Sequence, residues 1–231
     1  MPHRHIPQLS DILKDSARPA FLFGSVPPRE GTTEESARET CAKFAARSAV
    51  LATDGFIVYD IQDERGRTEM ERPFPFKKTM DPSLYASFFP PVSGKQCVVY
   101  KSVVEAGEEF FQEWVDKACD KYNHNAFNLV GAPSSNMSYE GLHLPDAAAL
   151  MRRRGGCAFG CVAIPERHTK KGNEDANMLR KVRLCAAWKP LDRPPVASSH
   201  VHACAPCVRW SLGRSGSSRR ACMRPSPSVS S

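Results

Sequence analysis

The sequence predicts an α/β domain built on a parallel sheet. Short apolar runs of strand length recur between residues 20 and 165. Helical segments separate most of them. The runs are continuously apolar rather than alternating, which marks strands buried between layers and joined by crossover helices.

The elements can be justified in order. The first run, AFLFGSV over 20–26, is closed by Pro27-Pro28. TTEESARETCAKFAARSAVLA, 32–52, opens on threonines and acids, which suit a helix N-terminus, and sets Ala37, Cys41, Phe44 and Ala45 on one face. GFIVYDI, 55–61, and CVVYKSV, 97–103, are the second and third strands. GEEFFQEWVDKACDKY, 107–122, is an amphipathic helix whose face carries Phe110, Phe111, Trp114, Val115, Ala118, Cys119 and Tyr122. AFNLVGA, 126–132, is the fourth strand, and the helix over 145–156 starts at Pro145 and stops at glycines. CAFGCVAIP, 157–165, is the fifth strand, followed by a helix over 173–188. Five such units fit a doubly wound sheet or part of a β/α barrel. No glycine-rich phosphate fingerprint follows the first strand, which argues against a Rossmann domain. In both architectures the ligand meets the C-terminal ends of the strands. The sequence places Pro27-Pro28-Arg29-Glu30, Asp60 to Arg65, Lys101, Gly131 to Ser135 and Glu166-Arg167-His168 there.

The pattern stops after Trp188. Residues 189–231 are rich in Ser, Pro, Arg, Ala and Cys and lack periodicity, the composition of a disordered tail. Six arginines and no acid lie from Arg193 onward; without them the net charge of +7 falls to +1. The basicity therefore belongs to the tail, and with no aromatic interleaving or folded reader it does not predict a nucleic-acid partner. His200, His202, Cys204 and Cys207 have zinc-ligand chemistry, but no core supports them and no metal is expected. Nine scattered cysteines, no apolar leader and no membrane-length apolar run predict reduced thiols in a cytoplasmic protein, without a membrane partner. The expected organisation is a domain over 1–188 and a basic tail over 189–231. The abrupt change of composition reads as a truncation or a shift of reading frame.

The fifth-strand segment, VAIPERHTKKGNEDANMLRKV over 162–182, resembles the signature region of the methylenetetrahydrofolate reductase family. The Pro-Pro-Arg closing the first strand, IQDERGRTEMERPFPF after the second and LVGAPSS after the fourth agree with it, so the resemblance covers roughly 8–188 in order. It implies a partial (β/α)8 TIM-type barrel of about five β/α units. The family barrel holds FAD and passes hydride from NADH or NADPH through the flavin to 5,10-methylenetetrahydrofolate, giving 5-methyltetrahydrofolate in one-carbon and methionine metabolism. The folate is thus the expected substrate, NAD(P)H the co-substrate, and an oligomer a property of full-length members.

By the same resemblance His168, Asn177, Arg180 and Lys181 match flavin-binding positions, the two cations serving phosphate or adenosine atoms, and Glu174 matches an acidic one. A helix opening near Asn173 offers its positive dipole end to a diphosphate. Gly131 is the fourth-strand glycine, and Lys101 ends the third strand as either a flavin-facing residue or a salt-bridged lysine. Two positions depart from the family pattern. Gly24 stands where the family carries the glutamate that protonates the folate, and Ala132 where an aspartate commonly follows the glycine. Asp60, Asp63 and Glu64 on the second loop are the candidates to replace the missing acid, against a plain reading as a solvated loop. Tyr59 and Trp188 are assigned to packing. The expected function is a flavin-dependent folate reductase; the alternative is a non-catalytic, truncated remnant that is unstable or only binds ligand.

Overall fold

The computed structural model describes residues 8–15, 19–62, 77–132, 138–162 and 172–185. The domain boundary expected at 188 and the tail over 189–231 lie outside the described residues. In chain order the elements are α1 (Leu9–Lys14), β1 (Leu22–Ser25), α2 (Glu34–Ser48), β2 (Gly55–Val58), α3 (Pro82–Ala86), α4 (Phe89–Ser93), β3 (Cys97–Ser102), α5 (Glu108–Asp116), β4 (Ala126–Val130), α6 (Leu144–Arg154), β5 (Ala158–Cys161) and α7 (Glu174–Cys185). A π-helical turn, Lys117–Lys121, prolongs α5.

The strands form one sheet in the order β1-β2-β3-β4-β5, every pair parallel. A doubly wound sheet reverses its strand order at a switch point and carries helices on both faces. Here the order follows the chain without reversal, and residues of α2 to α7 join a single core on one face. That arrangement is compatible with a partial β/α barrel; the five described strands do not close one.

Strand residues alternate between two environments, as the period-2 geometry of a strand requires. Phe56, Val58, Cys97, Val99, Phe127, Leu129, Phe159 and Cys161 pack beneath the helices. Ile57, Val98, Tyr100 and Ala126 face the opposite side. We call that side the inner face. At the N-terminal ends of the strands α1 covers it, with Leu9 against Val98 and Ala126. The Leu9 amide donates to Gln96 Oε1 at 2.7 Å. Gly55 is required by this closure: a Cβ there would lie 2.8 Å from the Gln96 carbonyl and 3.2 Å from Leu9.

The helical layer is aromatic. Phe56, Phe89, Phe111 and Phe127 are essentially inaccessible, each burial contributing about 1.5–3 kcal/mol. Phe44 lies edge-on to Phe56 and Phe89, and Trp114 edge-on to Phe127. Thr33 caps α2 through the Ser36 amide, which explains why the helix starts where threonines and acids cluster. At the other end of the sheet the Cys161 and Cys185 thiols meet at 3.1 Å, joining α7 to β5.

Between β2 and β3 the described residues carry two five-residue helices with prolines in their first turns. Asp81 organises the first: Oδ1 accepts from the amides of Ser83 and Leu84 at 2.7 and 3.0 Å, and Oδ2 accepts from Trp114 Nε1 at 2.8 Å. One carboxylate thus caps α3 and fastens it to α5. Among the described residues no helix is long and apolar enough to cross a membrane.

Candidate functional site

At the C-terminal ends of β2 and β3 the two sides of the sheet have opposite chemistry. Asp60 continues the parity of Phe56 and Val58, so it points to the helical side. Its carboxylate accepts from the Ser102 amide at 2.7 Å and from Gln62 Nε2 at 2.6 Å, and Lys101 Nζ lies 3.6 Å away. Lys101 donates to Glu105 Oε2 at 2.9 Å, and its ammonium stands over the rings of Trp114 and Phe110 at 5.4 and 5.8 Å. Both side chains are nearly inaccessible: 7% exposed for Lys101 and 4% for Asp60. Burial works against the Lys101 charge, but Asp60 and Glu105 outweigh it and its pKa is raised. Burial pushes the Asp60 carboxyl above its ordinary range, with Lys101 and the Ser102 amide pulling against it. Lys78 extends the network, lying 3.6 Å from Glu30 and 3.8 Å from Glu105. The cluster therefore ties the loops after β1, β2 and β3 together from the helical side.

The inner face at the same level is aromatic and small. Pairing places Gly24 beside Ile57, Ile57 beside Val98, Tyr100 beside Asn128, and Asn128 beside Gly160. Tyr59, one residue past β2, has the parity of Ile57; its amide donates to the Ser25 carbonyl at 3.1 Å. The Tyr59 and Tyr100 rings meet edge to face, centroids 5.1 Å apart and planes at 65°. Both are half-buried, and Asn128 beside Tyr100 is buried. A Cβ at Gly24 would lie 2.8 Å from Cε2 and 2.8 Å from the hydroxyl of Tyr59. The position where the resemblance expects an acid is thus covered by a tyrosine ring. No strand residue on the inner face among those described is a carboxylate.

The third cluster lies at the start of α7. Glu174 is buried. Its carboxylate accepts from Asn177 Nδ2 at 3.3 Å, and Lys181 Nζ lies 3.5 Å away. Lys181 also donates to the Val162 carbonyl at 2.7 Å, just beyond β5. Arg180 donates to Asn177 Oδ1 at 2.9 Å and is exposed.

Among the candidates named from sequence, Asn177, Arg180 and Lys181 come together on α7, while Asp60 and Lys101 come together on the helical side of the sheet. Of the two readings of Lys101, the geometry displays salt bridges. Gly131 follows β4, where a Cβ would make ordinary contact with Leu144 at 3.6 Å. Glu64 and His168 lie outside the described residues. Sequence reasoning passed over Glu105, Asp81 and the Tyr59–Tyr100 pair. A signal for the pair existed: Tyr59 alternates with Val58 and Asp60, so once Phe56 and Val58 are set under the helices, Tyr59 must face the other way.

No protein-family model and no curated protein matches the chain. Among solved structures it is similar to an uncharacterized protein from Clostridium thermocellum that binds two copies of 5-methyl-5,6,7,8-tetrahydrofolic acid, with 23% identity and a TM-score of 0.57. The similarity covers 77% of this chain and 55% of that one, so the chain spans about half the length of that structure. What the two share, at this identity, is the fold.

Proposed function

We propose that the chain binds a reduced folate on the inner face of its sheet, at the C-terminal ends of the strands. The observation that carries this is the half-buried Tyr59–Tyr100 pair beside Gly24, Asn128 and Gly160. Support comes from the folate bound by a protein of the same fold. The pyrimidinone half of a reduced pterin is planar with π faces, and its edges carry hydrogen-bonding groups. Aromatic rings meet such faces, glycines permit close approach, and a buried amide or a phenol answers the edge.

The finer reading, from the resemblance, is a flavin-dependent reduction of 5,10-methylenetetrahydrofolate with NAD(P)H. Asn177 and exposed Arg180 fit the polar part of FAD, the first as a hydrogen-bonding group and the second as a cation. Lys181 is engaged by Val162 and Glu174 and fits a positioning role for the start of α7. A bound flavin would supply the hydride-transfer chemistry. The second reading, ligand binding without turnover, is favoured by one feature: Asp60 is directed to the helical side, and the described inner-face strand residues offer no acid to protonate a substrate.

Calorimetry of the full chain with 5-methyltetrahydrofolate tests the common part; absence of binding overturns it. Retention of FAD through gel filtration and NAD(P)H-dependent methylenetetrahydrofolate reduction separate the two readings. A yellow, active protein establishes the enzyme; folate binding without flavin establishes the binding module.

A further inference from the structure

We infer that Tyr59 is the ligand-contacting hydroxyl of the inner face and that Gly24 sets the specificity of the site by making room for it. This rests on the folate reading above and names the residues that deliver it.

Three observations converge. The first is the close approach at Gly24. The ring end of Tyr59 stands where any side chain at position 24 would begin, with Cε2 and the hydroxyl each 2.8 Å and Cζ 3.2 Å from an ideal Cβ. Real Cβ atoms essentially never come under 3.0 Å, so an alanine there must push the ring aside. The second is the way the ring is held. Its backbone is tied to β1 through the Ser25 carbonyl, and Tyr100 abuts it edge to face. Towards the N-terminal ends of the strands the face is filled by Ile57, Val98, Ala126 and α1. The ring therefore has a defined seat rather than a free sweep. The third is the chemistry of the neighbourhood. Gly24, Ile57, Val98 and Ala126 contribute no polar side chain at the level below. The Tyr59 hydroxyl therefore brings polarity to an otherwise apolar part of the face, beside β1.

A phenol both donates and accepts a hydrogen bond. Placed at the edge of an aromatic pair, it orients a planar heterocycle by meeting a ring nitrogen or carbonyl while the apolar surface meets the ring face. An ionised carboxylate in the same place would accept only, and one carried by position 24 would require the Tyr59 ring to move aside. Residue 24 thus sets whether the tyrosine ring can occupy this place.

The test compares 5-methyltetrahydrofolate binding by the wild-type full chain, Tyr59→Phe and Gly24→Ala, with the near-ultraviolet circular dichroism of each. Tyr59→Phe keeps the ring and its packing and removes only the hydroxyl. Its affinity is expected to fall about three- to tenfold with an unchanged unfolding midpoint. Gly24→Ala is expected to weaken binding by more than about tenfold and to alter the aromatic dichroism, because it displaces the ring. If wild type binds and both variants bind equally well, Tyr59 is only a packing residue; the inference falls and the folate reading stands. If wild type does not bind, the folate reading falls and takes the inference with it.

Discussion

Tyr59 and Asp60 are consecutive residues that ended in opposite worlds. Asp60 lies under the helical layer, its carboxylate bonded by the Ser102 amide and Gln62 and paired with Lys101. Tyr59 stands half-buried on the inner face against Gly24 and Tyr100. The helical side uses polarity to fasten strand tips to one another; Asp60 and Lys101 at its centre have little access to solvent, and Glu30 and Lys78 close it at the surface. The inner side carries fewer charged groups, and its two tyrosines are only half-buried. Polar residues at the end of a buried strand thus enter two different environments, and a one-residue change of parity decides which.

The largest effect is expected from removing the cation of the helical side. Lys101→Met leaves the buried Asp60 carboxylate without its cation, with Glu105 as a second negative charge nearby. We expect a loss of about 3–5 kcal/mol in urea unfolding. Adding Asp60→Asn should recover part of it; a loss below about 1 kcal/mol would mean the cluster behaves as a solvated surface. Asp81→Ala removes the cap of α3 and the acceptor of Trp114 Nε1 together. The expected loss is about 2–3 kcal/mol, visible also as a red shift of tryptophan fluorescence if the indole gains solvent.

His124 extends the test to pH. It is buried, its Nε2 meets the Ser83 carbonyl at 2.8 Å, and Asp81 and the Tyr122 ring are nearby. Burial depresses its pKa below the ordinary value, against the pull of Ser83 and Asp81. The folded state therefore binds fewer protons than the unfolded one. Stability from this group is complete above the ordinary histidine range, about pH 6.5, and declines as pH falls through it. The unfolding midpoint should drop between about pH 7 and 5.5 in wild type and drop less in His124→Gln. Equal slopes would remove His124 from the account. The smallest effect belongs to Arg180→Ala. Its guanidinium is exposed and, among the described residues, bonded within its own helix to Asn177, so the stability change should stay within about 0.5 kcal/mol. A drop in retained FAD without a stability change would mark it as a flavin contact; no drop would return it to the solvated face.

Most of the scaffold was legible. The five apolar runs became β1 to β5, and the segments over 32–52, 107–122, 145–156 and 173–188 became α2, α5 with its π turn, α6 and α7. These are long elements with a clear 3.6-residue or strand-length pattern. The short helices α1, α3 and α4 were not legible. Five or six residues give too few apolar repeats to reveal a period, and prolines at 82, 90 and 91 mimic loop sequence. Of the candidate site, the residues on α7 were named from the resemblance alone, and Glu174, Asn177 and Lys181 meet because their spacing places them on one side of a helix. Glu105 and Asp81 were not, since their partners, Lys101 with Lys78 and Trp114, come from other elements.

The sequence by itself determined the alternation of strand and helix, the parallel sheet that this implies, and the gathering of polar residues at strand C-termini. Periodicity, caps and apolar run length are local properties, and local sequence states them. Only the tertiary structure decided that the strands lie in sequential order with their long helices on one face, and that Asp60 turns to Lys101 on the helical side. It alone decided that Gly24 holds the place of the Tyr59 ring. Those outcomes depend on which strand lies beside which, and at what register. Register is set by the packing of the whole sheet against its helices.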